Sequence, residues 1–146
     1  LADALGYSQK YSPSLIIDIA TLTGACAIAL GRFHAGIFSN DKSLIEELFF
    51  YGQKTNEKVW PMPLTDDYDD MIKSDVADVA NLGGWEGYAG AITAAAFLKK
   101  FVPPQTPWAH VDIAGMSFSK EEKGILVKGA TGFGVKLLSE YLLNKH

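Results

Sequence analysis

The stretch Ser14-Leu-Ile-Ile-Asp-Ile-Ala-Thr-Leu-Thr-Gly24 decides the fold. Its β-branched run from Ser14 to Thr21 is continuous rather than alternating, the pattern of a strand buried on both faces in a parallel sheet. The run ends in a Thr-Leu-Thr-Gly turn. Gly24 to Leu30 is small and apolar, which predicts a short helix packed directly on that strand, with Gly31 as its stop. A second strand is predicted over Ala35 to Ser39. Ser43-Leu-Ile-Glu46 then supplies a capping-box spacing, and Leu44, Ile45, Leu48 and Phe49 recur at helical period to about Gly52.

Farther along, Val59 to Met62 reads as a short extended piece, and Thr65-Asp66-Asp67 opens an acidic-started helix to about Ile72. Val76 to Ala80 reads as another strand. Asn81 to Gly90 holds four of the 14 glycines, which marks a loop with unusual dihedrals or a close approach. Ala91 to Phe101 is predicted as helix, Trp108 to Ala114 as strand and Lys120 to Lys123 as a charged surface loop. A last helix after Gly132 carries Val135, Leu138, Tyr141 and Leu142 on one face. Upstream, Leu1, Ala4 and Leu5 read as the middle of a helix without an N-cap, as in a piece of a longer polypeptide. Strands alternating with helices of about ten residues predict an α/β layer fold with a largely parallel sheet.

The composition narrows the function classes. With 146 residues, 48% apolar and 21% charged, the chain is long enough for one continuous core. Its net charge of -4, with no Lys/Arg cluster, argues against a nucleic-acid backbone or an anionic membrane surface as partner. The longest apolar stretch, Leu15 to Leu30, contains Asp18, Thr21, Thr23 and Gly24 and falls short of the ~20 apolar residues of a bilayer span. The lone Cys26 cannot form an internal disulfide, so a reducing cytoplasm is the expected compartment, and its apolar run reads as core packing.

Ile17-Asp18-Ile19-Ala20 and Val111-Asp112-Ile113-Ala114 are matching strand-end segments. Ligands bind at the carboxyl ends of strands in open α/β sheets, so both turns are expected to face one cleft. Asp18, His110 and Asp112 have ligand types suited to zinc or manganese. Against that, Asp18 lies inside its strand, and His110 and Asp112 have no third local ligand. The alternative is structural, since buried acids are normally paired with backbone donors or a base. Thr21-Leu22-Thr23-Gly24-Ala25 reads either as a ligand-binding turn or as an ordinary strand-to-helix turn. Lys128 to Gly134 satisfies neither the P-loop nor the dinucleotide spacing and reads as a flexible approach to the last helix.

Several of these strings, taken in order, resemble one family. Asp18-Ile-Ala-Thr-Leu-Thr-Gly-Ala25 with Ala29-Leu30-Gly31 is similar to the core signature of the leucyl aminopeptidases. Val59-Trp-Pro-Met-Pro-Leu64, Ala77-Asp-Val-Ala-Asn-Leu-Gly83, Gly90-Ala-Ile-Thr-Ala-Ala-Ala-Phe-Leu98, Trp108-Ala-His-Val-Asp-Ile-Ala-Gly115 and Lys128-Gly-Ala-Thr-Gly132 follow in that family's order. The resemblance covers essentially the whole chain. It implies a three-layer α/β/α fold with a mixed, largely parallel sheet, present over residues 1–146 as the C-terminal portion of a larger catalytic domain.

The resemblance implies hydrolysis of N-terminal residues from peptides by two divalent ions, zinc or manganese, with a bicarbonate as proton shuttle. The family's metal-binding acids, catalytic lysine and bicarbonate-holding arginine would lie upstream of Leu1. No catalytic residue and no metal ligand is therefore expected within the chain, which would be inactive alone. The carbonyl of Leu22 and the amide of Gly24 match backbone groups that pair with the substrate main chain, in a turn that includes Thr23. Thr21, Ala114 and Met116 match the first side-chain pocket, and Leu82 matches a position on the leaving-group side. The family's homo-hexamer would draw assembly contacts from this region, covering exposed aromatics such as Trp85 and Tyr88. The alternative from another class is a non-catalytic interaction or assembly module that keeps the fold.

Overall fold

Alternate side chains of each strand face opposite helical layers, and this period of two organises the molecule. The computed structural model describes residues 1–83, 87–122 and 128–145. In chain order the elements are α1 (Ala2–Ser8) with a 3-10 turn (Gln9–Tyr11), β1 (Ile16–Ala20), α2 (Gly24–Leu30), β2 (Ala35–Ser39) and α3 (Lys42–Thr55). They continue as β3 (Val59–Pro61), α4 (Asp67–Asp70), α5 (Gly90–Lys99), β4 (Trp108–Asp112), β5 (Phe118–Ser119), β6 (Gly129–Ala130) and α6 (Val135–Asn144).

The main sheet has the order β1-β4-β2-β3. β1 and β4 are parallel, with Asp18 opposite His110 and Ala20 opposite Asp112. β2 and β3 are also parallel. β2 runs antiparallel to β4, placing Phe38 opposite His110, so the sheet is mixed. On one face Ala35, Ile37, Ala109 and Val111 pack against Leu44 and Leu48 of α3 and Leu137 and Tyr141 of α6. On the other, Trp108 meets Leu5 of α1 and Leu98 of α5, while Phe38 meets Cys26 of α2 with Ala91, Ile92 and Ala95 of α5. The result is the three-layer α/β/α arrangement.

Three expectations change. Val76 to Ala80 is not a strand: Val76 is almost fully exposed. The Val76 and Ala77 amides donate to Ser74 Oγ (3.3 and 3.1 Å), and the Ala80 amide donates to the Ile72 carbonyl (2.8 Å). The Ser74 hydroxyl and a nearby carbonyl thus replace a ladder. The helix predicted to run to Ile72 shrinks to the single turn of α4. α3 begins earlier than Ser43, because Asp41 is the N-cap and its Oδ1 accepts from the Leu44 amide (3.0 Å). The Asp41 amide is in turn held by Ser39 Oγ (2.9 Å), which joins the cap to the end of β2.

The N-terminus of α6 has no cap of its own, since Gly134 precedes it at φ 99°. Glu57, buried between α3 and β3, supplies one from a distant part of the chain. Its Oε2 accepts from the amides of Gly134 (3.0 Å) and Leu137 (2.8 Å). A carboxylate at that pole satisfies orphan donors and the helix dipole together. Glu57→Ala is expected to lower stability by about 3 kcal/mol, and Glu57→Gln, which keeps an acceptor, by about 1 kcal/mol, as measured by urea unfolding.

Candidate functional site

Because β1 and β4 are parallel, their carboxyl ends open at the same end of the sheet, and the turns that follow lie side by side. The Ile113 amide extends the ladder by donating to the Ala20 carbonyl (2.8 Å). Beyond it the two turns are joined by one buried side chain, Asp112, which is 1% exposed. Its Oδ1 accepts from the amides of Leu22 (3.2 Å) and Ala114 (3.1 Å). Its Oδ2 accepts from the Thr23 amide (3.1 Å) and the Thr23 hydroxyl (2.6 Å). Thr23 Oγ1 accepts in turn from the Cys26 amide (3.0 Å), capping α2.

Within this frame Thr21 and Gly24 are exposed, and Leu22, Thr23, Ala114 and Met116 are half-buried. The Leu22 carbonyl and the Gly24 amide have no hydrogen-bond partner among the described residues. The second turn is fixed by two further contacts. Gly115 passes so close to α2 that an added Cβ would stand 2.0 Å from the Gly31 carbonyl oxygen, so only glycine fits there. The Thr131 hydroxyl donates to the Met116 carbonyl (2.6 Å), and its amide donates to the Ser117 carbonyl (3.0 Å). The Lys128 to Gly134 segment is therefore no flexible approach: β6 pairs with β5, and Thr131 braces the turn.

Leu82 is 81% exposed in its loop. The next residue, Gly83, lies against Thr93 of α5, and Gly90 at the start of α5 touches Ala25 of α2. These contacts bring the Leu82 loop toward the end of the sheet where the two turns lie. Tyr88 is exposed as expected, whereas Trp85 and Lys123 lie outside the described residues.

Asp18, His110 and Asp112 do not converge as a ligand set. Asp18 accepts from Trp108 Nε1 (2.7 Å) and bonds His110 Nδ1 (2.5 Å), while both oxygens of Asp112 are taken by the turns. Phe38 and Trp108 stack beside the imidazole, which is fully buried. Among the described residues no group of three His, Cys, Asp or Glu could hold a metal ion. The roles of Gly115 and Thr131 escaped the sequence reading, although Gly-Ala-Thr and Ile-Ala-Gly both stand in quoted motifs.

Residues 1–139 match the model of the cytosol aminopeptidase family, catalytic domain. The chain belongs to the cytosol aminopeptidase family. It is 61% identical over 143 residues to a "Probable cytosol aminopeptidase" of Chlorobium limicola, covering 97% of this chain and 28% of that one. It is 50% identical to a "Cytosol aminopeptidase" of Rickettsia prowazekii over 97% of this chain and 29% of the relative. Among solved structures, a tomato leucine aminopeptidase mutant superposes with a TM-score of 0.89 at 43% identity, over 99% of this chain and 27% of that chain. The chain thus spans less than a third of the length of the curated relatives it matches.

In this cytosol aminopeptidase segment the one cysteine sits directly under the first turn. Cys26 is 1% exposed, and its thiol donates to the Asp112 carbonyl (3.7 Å). Burial, reinforced by the Asp112 charge, pushes the thiol from the ordinary 9.0 up to about 11. Only the thiolate is nucleophilic. Iodoacetamide at pH 8 is therefore expected to leave Cys26 of the folded chain unmodified and to alkylate it fully in urea, as read by mass spectrometry.

Proposed function

We propose that the chain forms the substrate-cleft wall of a two-metal leucyl-type aminopeptidase, a hydrolase that removes N-terminal residues from peptides. The observation that carries this reading is a pair of backbone groups without a partner among the described residues, the Leu22 carbonyl and the Gly24 amide, on a braced turn at the strand ends. An acceptor and a donor so placed can pair with a peptide main chain whatever its side chains, so they position substrate without selecting it. Selection falls to the pocket formed by Thr21, Ala114 and Met116, where small residues leave room and a methionine adapts to a leucine-like side chain. Leu82 borders the leaving-group side.

In this reading zinc or manganese, with any bicarbonate, is held by acids, a lysine and an arginine elsewhere in a longer parent chain. Residues 1–146 are then the C-terminal portion of its catalytic domain, inactive in isolation. β1 lies at the edge of the sheet, which supports pairing with more of the parent sheet. Exposed Ile28, Phe33 and Leu143 support burial against further subunits in a homo-hexamer. Cytoplasmic residence follows from the same reading. It is supported by relatives named cytosol aminopeptidases.

Leucine p-nitroanilide hydrolysis tests this reading. The pure 15.8 kDa chain is expected to show no turnover with or without manganese or zinc, and the longer parent to be active. Metal-dependent turnover by the pure chain, or an inactive parent, overturns it.

A further inference from the structure

We propose that Asp112 is a positioning residue of the aminopeptidase cleft: its buried carboxylate sets the direction in which the Leu22 carbonyl and Gly24 amide face the substrate. The proposal rests on the reading above that those two backbone groups pair with the substrate main chain.

The Leu22 carbonyl and the Thr23 amide belong to one planar, trans peptide unit, so C=O and N–H point in opposite directions. The Thr23 N–H donates inward to Asp112 Oδ2 at 3.1 Å. The Leu22 carbonyl must then point away from the buried carboxylate, where no described residue meets it. The Leu22 N–H is held at 3.2 Å by Asp112 Oδ1, which fixes the preceding peptide plane as well. The Thr23 side chain is held by the same carboxylate at 2.6 Å and caps α2 through the Cys26 amide, and this fixes the dihedrals that aim the Gly24 amide.

Asp112 also couples the two walls. The oxygen that holds Leu22 accepts the Ala114 amide at 3.1 Å, so the main-chain turn and the side-chain pocket share one anchor. The residue is 1% exposed and touches no substrate position itself, so it acts only through the turns. All four of its partners are donors. An asparagine offers one acceptor oxygen and one NH2, and whichever way it is placed the NH2 confronts donors at Thr23 or at Leu22 and Ala114.

The test uses the full-length polypeptide with manganese, comparing wild type with Asp112→Asn and, in case that variant fails to fold, Thr23→Val. Steady-state kinetics on a leucyl tripeptide are paired with calorimetric binding of a non-hydrolysable leucyl peptide and with thermal unfolding. A turn that has lost its aim weakens ground-state and transition-state pairing alike, so KM and the Kd of the analogue are expected to rise about 10-fold while kcat changes less than about 3-fold. Thr23→Ser, which keeps the hydroxyl, is expected to recover most of the loss seen in Thr23→Val. A purely structural role gives a different signature: partial unfolding removes active molecules, lowering the apparent kcat and Tm while leaving KM and Kd alone. That result in both variants overturns the positioning role. An inactive wild-type polypeptide overturns the reading of the cleft, and the proposal with it.

Discussion

Four donors converge on the carboxylate of Asp112, and the arrangement of the strand ends depends on it. Burying a carboxylate costs several kcal/mol. Charge-assisted hydrogen bonds contribute about 1.5–3 kcal/mol each, so one or two would leave a deficit where four can offset the cost. The price of the site is thus a fully satisfied acid, and what results is backbone rigidity at a point where the chain leaves regular structure. Three of the four contacts go to the main chain or hydroxyl of Leu22 and Thr23, about ninety residues away in sequence. The fourth goes to Ala114, two residues on.

Two residues back along the paired strands, a second buried acid follows the same rule with different partners. Asp18 is satisfied by the Trp108 indole and the His110 imidazole, side chains on the neighbouring parallel strand that share its face. The two acids of the matching Asp-Ile-Ala segments therefore do different work. Asp18 lies within β1 and locks the strand pair. Asp112 closes β4 and reaches beyond the ladder, where amides of the turns are free to be captured. Position relative to the strand end, rather than residue type, separates a core polar cluster from an anchor of the strand-end turns. The fold repeats the device at Glu57, whose carboxylate caps α6 from the segment between α3 and β3.

Much of this was legible in the residues. The continuous apolar run of β1, the small-residue helix α2, the period of α3 and the strand around His110 appear where the patterns place them, because each is set by side-chain periodicity and burial. The satisfied state of Asp18 and Asp112 was legible too, as the general demand that a buried acid find a base or amides. The misreadings fall where local chemistry competes with pattern. Val76 to Ala80 has strand-like residues, yet the Ser74 hydroxyl takes the Val76 and Ala77 amides. Asp41 outcompetes Ser43 as cap because Ser39 holds it in place. Lys128 to Gly134 looks mobile by its glycines, but Thr131 ties it to the Met116 carbonyl.

The sequence by itself determined most of the elements, the family likeness and the two strand-end turns, since these rest on near-neighbour spacing and on motif order. Only the tertiary structure decided which oxygen holds which amide, that Gly115 must pass beneath the Gly31 carbonyl, and that the Leu22 carbonyl and Gly24 amide are left free among the described residues. Those facts depend on contacts between segments up to about ninety residues apart. No periodicity records them, because the parallel pairing of β1 with β4 is what creates the neighbours.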